Sequence, residues 1–114
     1  MSRRVLSTTS STSTALSLTL SMGDAIQFIG FTVTFDSAPT TSENLVLTLD
    51  AAAGAAYDTV LYSDDPSTDS TEDYWFYPDS PQRFKEGDAL VLTYTNTDTR
   101  AIGAQIYYDL NPRL

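Results

Sequence analysis

The chain has 114 residues, 15 of them acidic and 6 basic, for a formal net charge of −9, and it contains neither cysteine nor histidine. That length holds one hydrophobic core, and that charge opposes long-range attraction to nucleic acid or anionic lipid, so neither is an expected partner. Without thiols or imidazoles there are no disulfides, thiolate–zinc sites, imidazole bases or thiol nucleophiles, which removes most chemistries open to a small enzyme.

The chain opens with "MSRRVLSTTSSTST". Two arginines before an apolar residue superficially suggest a secretion signal, but a Ser/Thr-rich stretch follows where a signal needs a continuous apolar run. No apolar run anywhere is long enough to span a bilayer, so neither a targeting nor a membrane segment is expected. Residues 1–14 read as a polar arm of low complexity whose largest anchors are Val5 and Leu6. Ordering its backbone costs about 1 kcal/mol per residue, so the arm is expected to be mobile unless something outside the core holds it. Residues 15–114 are the expected folded domain.

From there the period is two. In "ALSLTLSM", Leu16, Leu18, Leu20 and Met22 alternate with Ser17, Thr19 and Ser21, the pattern of a half-buried strand. Met22 to Ala25 turns the chain. "IQFIGFTVTF" begins with Ile26 and Phe28 in phase and continues with Ile29, Phe31, Val33 and Phe35 in the other phase; the slip at Gly30 predicts a β-bulge. "DSAPTTSEN" is a loop, and "LVLTL" and "YDTVLYS" are strands flanking "DAAAGAAYD". Alanine favours helix, yet Gly54 interrupts a run too short for a stable isolated helix. The segment reads instead as a crossover between sheets, a contact with another subunit, or a loop that needs no side chains.

"SDDPSTDSTED" is an acidic, turn-rich connection. It offers oxygen ligands but lacks the spacing and distal glutamate of a calcium loop, and no metal is assigned to it. In the short strand "YWFY" that follows, Trp75 and Tyr77 share one face and Tyr74 and Phe76 the other. One pair supplies core; the other must be exposed or covered by a loop or neighbour. "QRFKEGDALVLTYTN" reads as a short strand, a Gly87-Asp88 turn and a strand with Leu90, Leu92 and Tyr94 on one face. "TDTR" then reads as closing a hairpin into "AIGAQIYYDL", where Ile102, Ala104, Ile106 and Tyr108 alternate with Gly103, Gln105 and Tyr107. About eight strands and no convincing helix predict an all-β, single-domain antiparallel sandwich of jelly-roll type.

The runs "LTLDAAAGAAYDTVLYSDD", "WFYPD" and "FKEGDALVLTYTNTDTRAIGAQIYYDL" together resemble a family of small tailed-bacteriophage virion proteins. The shared order is a strand ending Thr-hydrophobic-Asp, a small-residue segment, Tyr-Asp and a hydrophobic strand. A Trp near Pro-Asp follows, then Gly-Asp with alternating apolar residues, an Asn-rich turn and a Gly in the last strand. The resemblance covers roughly residues 45–109. It implies a β-sandwich head decoration or fibre-type protein, located on the virion, whose partners are the major capsid protein or other virion proteins.

The expectation is therefore a non-enzymatic capsid decoration protein on the outer surface of the head, where an acidic surface aids solubility. Arg3, Arg4, Val5 and Leu6 of the arm are the expected shell contacts. Tyr62, Asp64, Asp65, Tyr74, Trp75 and Tyr77 are candidate oligomer or ligand contacts, with a trimer favoured by the threefold positions of capsids. The rival class is a carbohydrate-binding module of a tail or fibre, stacking a sugar on an exposed Trp or Tyr beside carboxylates. No catalytic residues and no cofactor are expected, since no pair of carboxylates is singled out as acid and base and neither a phosphate loop nor a nucleophile elbow is present.

Overall fold

A computed structural model describes residues 2–10, 14–69, 72–80 and 82–110. Among them nine strands form: β1 (Ser2–Ser10), β2 (Leu16–Ser21), β3 (Ile26–Phe35), β4 (Leu45–Asp50), β5 (Thr59–Asp64), β6 (Asp73–Phe76), β7 (Gln82–Phe84), β8 (Ala89–Tyr94) and β9 (Ile102–Leu110). One sheet, A, runs β1-β9-β3-β6, with β7 pairing β3 beside β6; the other, B, runs β2-β8-β4-β5. All pairings are antiparallel.

β6 and β7 both lie against β3, on Phe31–Thr34 and Ile26–Phe28 respectively, and so make up one broken edge strand. With that pair taken as one, the first strand pairs the last, the second the next to last, and so inward to β4 with β5. The chain is one long hairpin rolled onto itself, which is a jelly roll. Its tip is the segment 51–58.

Alternation explains which side of each strand is buried. β2 alternates buried and exposed along its whole length. In β3 the register shifts between Phe28 and Gly30. Ile29 is the extra residue of the bulge; it is half-buried, while Phe31, Val33 and Phe35 resume the inward set. The core between the sheets holds a run of aromatic contacts. Tyr62 of sheet B lies 5.1 Å from both Phe31 and Phe76 of sheet A, and Phe35 lies 5.3 Å from Tyr94.

Three expectations change. The stretch read as a free arm is extended, but over Ser2–Ser10 it is the edge strand of sheet A, in register with β9 from Ser2 opposite Leu110 to Ser10 opposite Ile102. Main-chain donors and acceptors along β9 order it, and Leu6 packs on the core. Residues 1 and 11–13 lie outside the described residues. "TDTR" does not close a hairpin, because β8 and β9 belong to opposite sheets. The segment is a corner built on Asn96, whose φ is 65°. Its side-chain amide donates to the carbonyls of Thr14 and Arg100 and accepts from the Arg100 N–H. Finally, the small-residue segment is no crossover between sheets, since β4 and β5 pair with each other. It contains a single 3₁₀ turn at Ala55–Tyr57, and a further helical turn occurs at Pro66–Asp69.

The small side chains of the tip have two local causes. Gly54 takes a φ of 124°, which a larger residue rarely adopts. Ala52 packs against Gly87, where an added β-carbon would sit 3.1 Å from the Ala52 Cβ. The buried Asp88 joins these turns by accepting from the N–H groups of Ala52 and Lys85.

Candidate interaction surface

The residues singled out from the sequence separate into two groups. Tyr62 is half-buried in the aromatic contacts above. Tyr74 is buried and packs edge-on against Phe35. Asp64 ends β5 opposite Leu45. Asp65 caps the helical turn that follows, accepting from Ser42 Oγ and from the N–H and Oγ of Ser67. Those hydrogen bonds, Ser42 first, hold its carboxyl below the usual carboxylate range. Tyr62 and Tyr74 thus contribute to the core, and Asp65 to the local hydrogen bonding of the helical turn.

Trp75 and Tyr77 behave as their phase predicts. Tyr74 and Phe76 turn to the core, while Trp75 is 67% and Tyr77 49% exposed. Both lie on the outer face of sheet A. Cross-strand register extends that face in rows, because directly opposed residues of an antiparallel sheet share a side. Trp75 stands opposite Thr32, Thr32 opposite Gln105, and Gln105 opposite Ser7. In the next row Gly30 stands opposite Tyr107 and Tyr107 opposite Val5. Tyr77 joins this row: its ring lies where a Gly30 β-carbon would project. Strands are ~4.8 Å apart, so each row crosses the sheet in roughly 10–15 Å.

Val5, expected as a shell anchor, therefore shares a face with Trp75 and Tyr77 and is 51% exposed. Arg3 stands opposite Asp109 in the ladder, Arg4 is exposed, and Leu6 turns inward. A third row, Thr9, Gly103, Thr34 and Asp73, completes the face. Gly103 contributes no side chain there, and a shallow, mainly apolar hollow of about 300 Å³ opens beside it, lined by Thr9, Thr34, Phe35, Asp36, Ala101 and Ile102. Between hollow and rings, Thr32 Oγ1 donates to Gln105 Oε1 at 2.7 Å.

The outer face of sheet B differs in chemistry. Period and register place Ser17, Thr19, Val46, Thr48, Val91 and Thr93 on it, hydroxyls and β-branched side chains without an aromatic ring. A second shallow hollow of about 410 Å³ lies at one end, among Ala15, Ser17, Asn44, Val46, Thr93 and Thr95. Among the described residues, no group of three or more acidic side chains is placed to hold a metal ion.

Sequence reading did not assign Thr32, Gln105, Tyr107 or the two glycines to a surface with Trp75. The outward phase of Gly103, Gln105 and Tyr107 was legible. Their adjacency to β6 was not, because it depends on β3 lying between β9 and β6. No protein-family model matches this chain, and no curated protein sequence does.

Proposed function

We propose that the protein is a non-catalytic structural and binding component of a bacteriophage particle, carried on the outer surface of the head. The phage assignment rests on the sequence resemblance over roughly residues 45–109; the structural observation that supports a binding role is the edge of sheet A that no strand among the described residues pairs. β1 is nine residues long and contains no proline, and β9 flanks it on one side only. Such an edge is a template for main-chain pairing with another chain. Two arginines, Arg3 and Arg4, fall in the sequence of this edge strand, the first opposite Asp109 in the ladder, on a protein of net charge −9. A strand or acidic groove of the major capsid protein is the partner this edge suits. The charge elsewhere suits a position facing solvent, away from packaged nucleic acid. Copies grouped as a symmetric oligomer, a trimer foremost, belong to the same proposal.

Co-sedimentation with empty phage heads tests it. The full chain pellets with heads at a saturable stoichiometry, and the double variant Arg3→Glu, Arg4→Glu, which retains the strand, binds at least about tenfold more weakly. A full chain that stays in the supernatant overturns the reading.

A second reading is favoured by the exposure of Trp75, which a sugar-binding module of a tail or fibre requires and a purely structural sandwich does not.

A further inference from the structure

We infer that the outer face of sheet A is a binding site for a neutral saccharide, with a pyranose ring stacked on Trp75, its hydroxyls met by Gln105 and Thr32, and the hollow at Gly103 open to a neighbouring sugar unit. This deepens the receptor reading and stands apart from shell attachment, which uses the β1 edge.

The face has the amphipathic character of a sugar. A pyranose presents a flat patch of C–H groups bounded by hydroxyls, and so needs an exposed ring beside donors and acceptors. Trp75 supplies the ring, exposed over two thirds of its surface. Tyr77 supplies a second, held in place because Gly30 leaves room for it against the sheet. The hydrogen bond from Thr32 to Gln105 Oε1 orients the amide and turns its nitrogen, with two donors, away from Thr32. Along β3, Thr34 lies two residues from Thr32, or ~7 Å. That places the hollow and the rings within the span of a short oligosaccharide. The hollow's volume of about 300 Å³ is at the lower end of small-ligand sites, sufficient for one sugar unit.

The same features argue against other ligands. The buried core of a protein interface is more apolar than its rim, whereas here Thr32, Gln105 and Ser7 form a polar row directly beside the aromatic one. Nucleic-acid bases also stack on aromatic rings, but a polyanion meets a chain of charge −9 with Asp73 and Asp36 at this end of the sheet. That charge equally disfavours sulfated and uronic sugars.

Trp75 is the chain's one tryptophan, so its fluorescence reports on this face alone. The full-length protein is titrated with a panel of neutral gluco-, manno-, galacto- and N-acetylglucosamine oligosaccharides, with dextran sulfate as the anionic control. At least one neutral member moves the emission to shorter wavelength and lowers acrylamide quenching at least twofold, while dextran sulfate does neither. For that sugar, Trp75→Ala abolishes the calorimetric signal and Gln105→Ala weakens binding about threefold to tenfold, a loss of the size expected for one hydrogen bond. Both positions lie on the surface, and unchanged melting curves verify that the variants are folded. Three results overturn the inference: no quenching protection by any neutral sugar up to about 10 mM, sugar binding that survives Trp75→Ala, or Trp75 shielded by self-association and released on dilution. Retained co-sedimentation with heads in any of these cases separates loss of the sugar site from loss of shell attachment.

Discussion

The ring of Tyr77 covers Gly30 on the outer face of sheet A, in the space that a β-carbon at position 30 would need. The carbonyl of Phe76 crowds the same point. One glycine thus serves both the bulge in β3 and the seating of an exposed aromatic ring.

Gly30→Ala is expected to destabilise the fold by about 1–3 kcal/mol, the usual cost of forcing atoms into a filled site. Urea denaturation measures it. In a Tyr77→Ala background the cost shrinks if the ring is the main obstacle, and persists if the Phe76 carbonyl is. The added methyl takes space that the Tyr77 ring occupies, so sugar binding is expected to weaken as well.

Asn96 makes three side-chain hydrogen bonds at the β8–β9 corner, one to the Thr14 carbonyl and two with the main chain of Arg100, while holding a φ of 65°. Asn96→Ala loses the bonds and strains the backbone, an expected loss of at least about 2 kcal/mol. Asn96→Gly relieves the backbone and loses only the bonds, so its midpoint in a chemical melt lies between the other two. Equal midpoints for the Ala and Gly variants would show that the positive φ carries no cost here.

At the opposite end of the sandwich, Asp88→Ala leaves the N–H groups of Ala52 and Lys85 without their acceptor. The expected cost is about 1–3 kcal/mol, with faster amide hydrogen exchange at Ala52, on the tip of the long hairpin. Exchange at Asn96 and Arg100 is expected to remain unchanged, because they belong to the other end.

Asp98 clamps the loop between β3 and β4. It accepts from the Thr41 hydroxyl and from the N–H groups of Thr40 and Thr41. These bonds, that from the Thr41 side chain first, lower its carboxyl from the ordinary 3.8 to about 2. A carboxylate depressed in the folded state stabilises fully above its unfolded value, and that contribution is lost as pH falls. The window here runs from 3.8 down to about 2. Wild type is therefore expected to melt above Asp98→Asn at neutral pH, with the gap closing across that window. A gap independent of pH would place the effect elsewhere than in the ionised carboxylate.

Much of the architecture was legible in the chain because β-strands write their inward and outward faces at every second residue. The alternation of Leu16, Leu18 and Leu20, the slip near Gly30, and the opposite faces of Tyr74 and Trp75 are local consequences of the pleat. Length and charge bounded the rest: one core, acidic, without thiol or imidazole chemistry.

Local pattern could not say which strands are neighbours. The phase of β8 and β9 is the same whether they form a hairpin or cross between sheets, so the corner at Asn96 became visible only from the pairing. The Ser/Thr-rich start carries too weak an alternation to reveal a strand, and the main chain of β9 decided that it is one. The binding face has the same origin. Trp75, Thr32, Gln105 and Val5 are scattered from one end of the chain to the other, and it is the order β1-β9-β3-β6 that gathers them on one side of a sheet. Side-chain direction is a property of each residue and its neighbours in sequence, whereas adjacency across a sheet depends on the packing of the whole core.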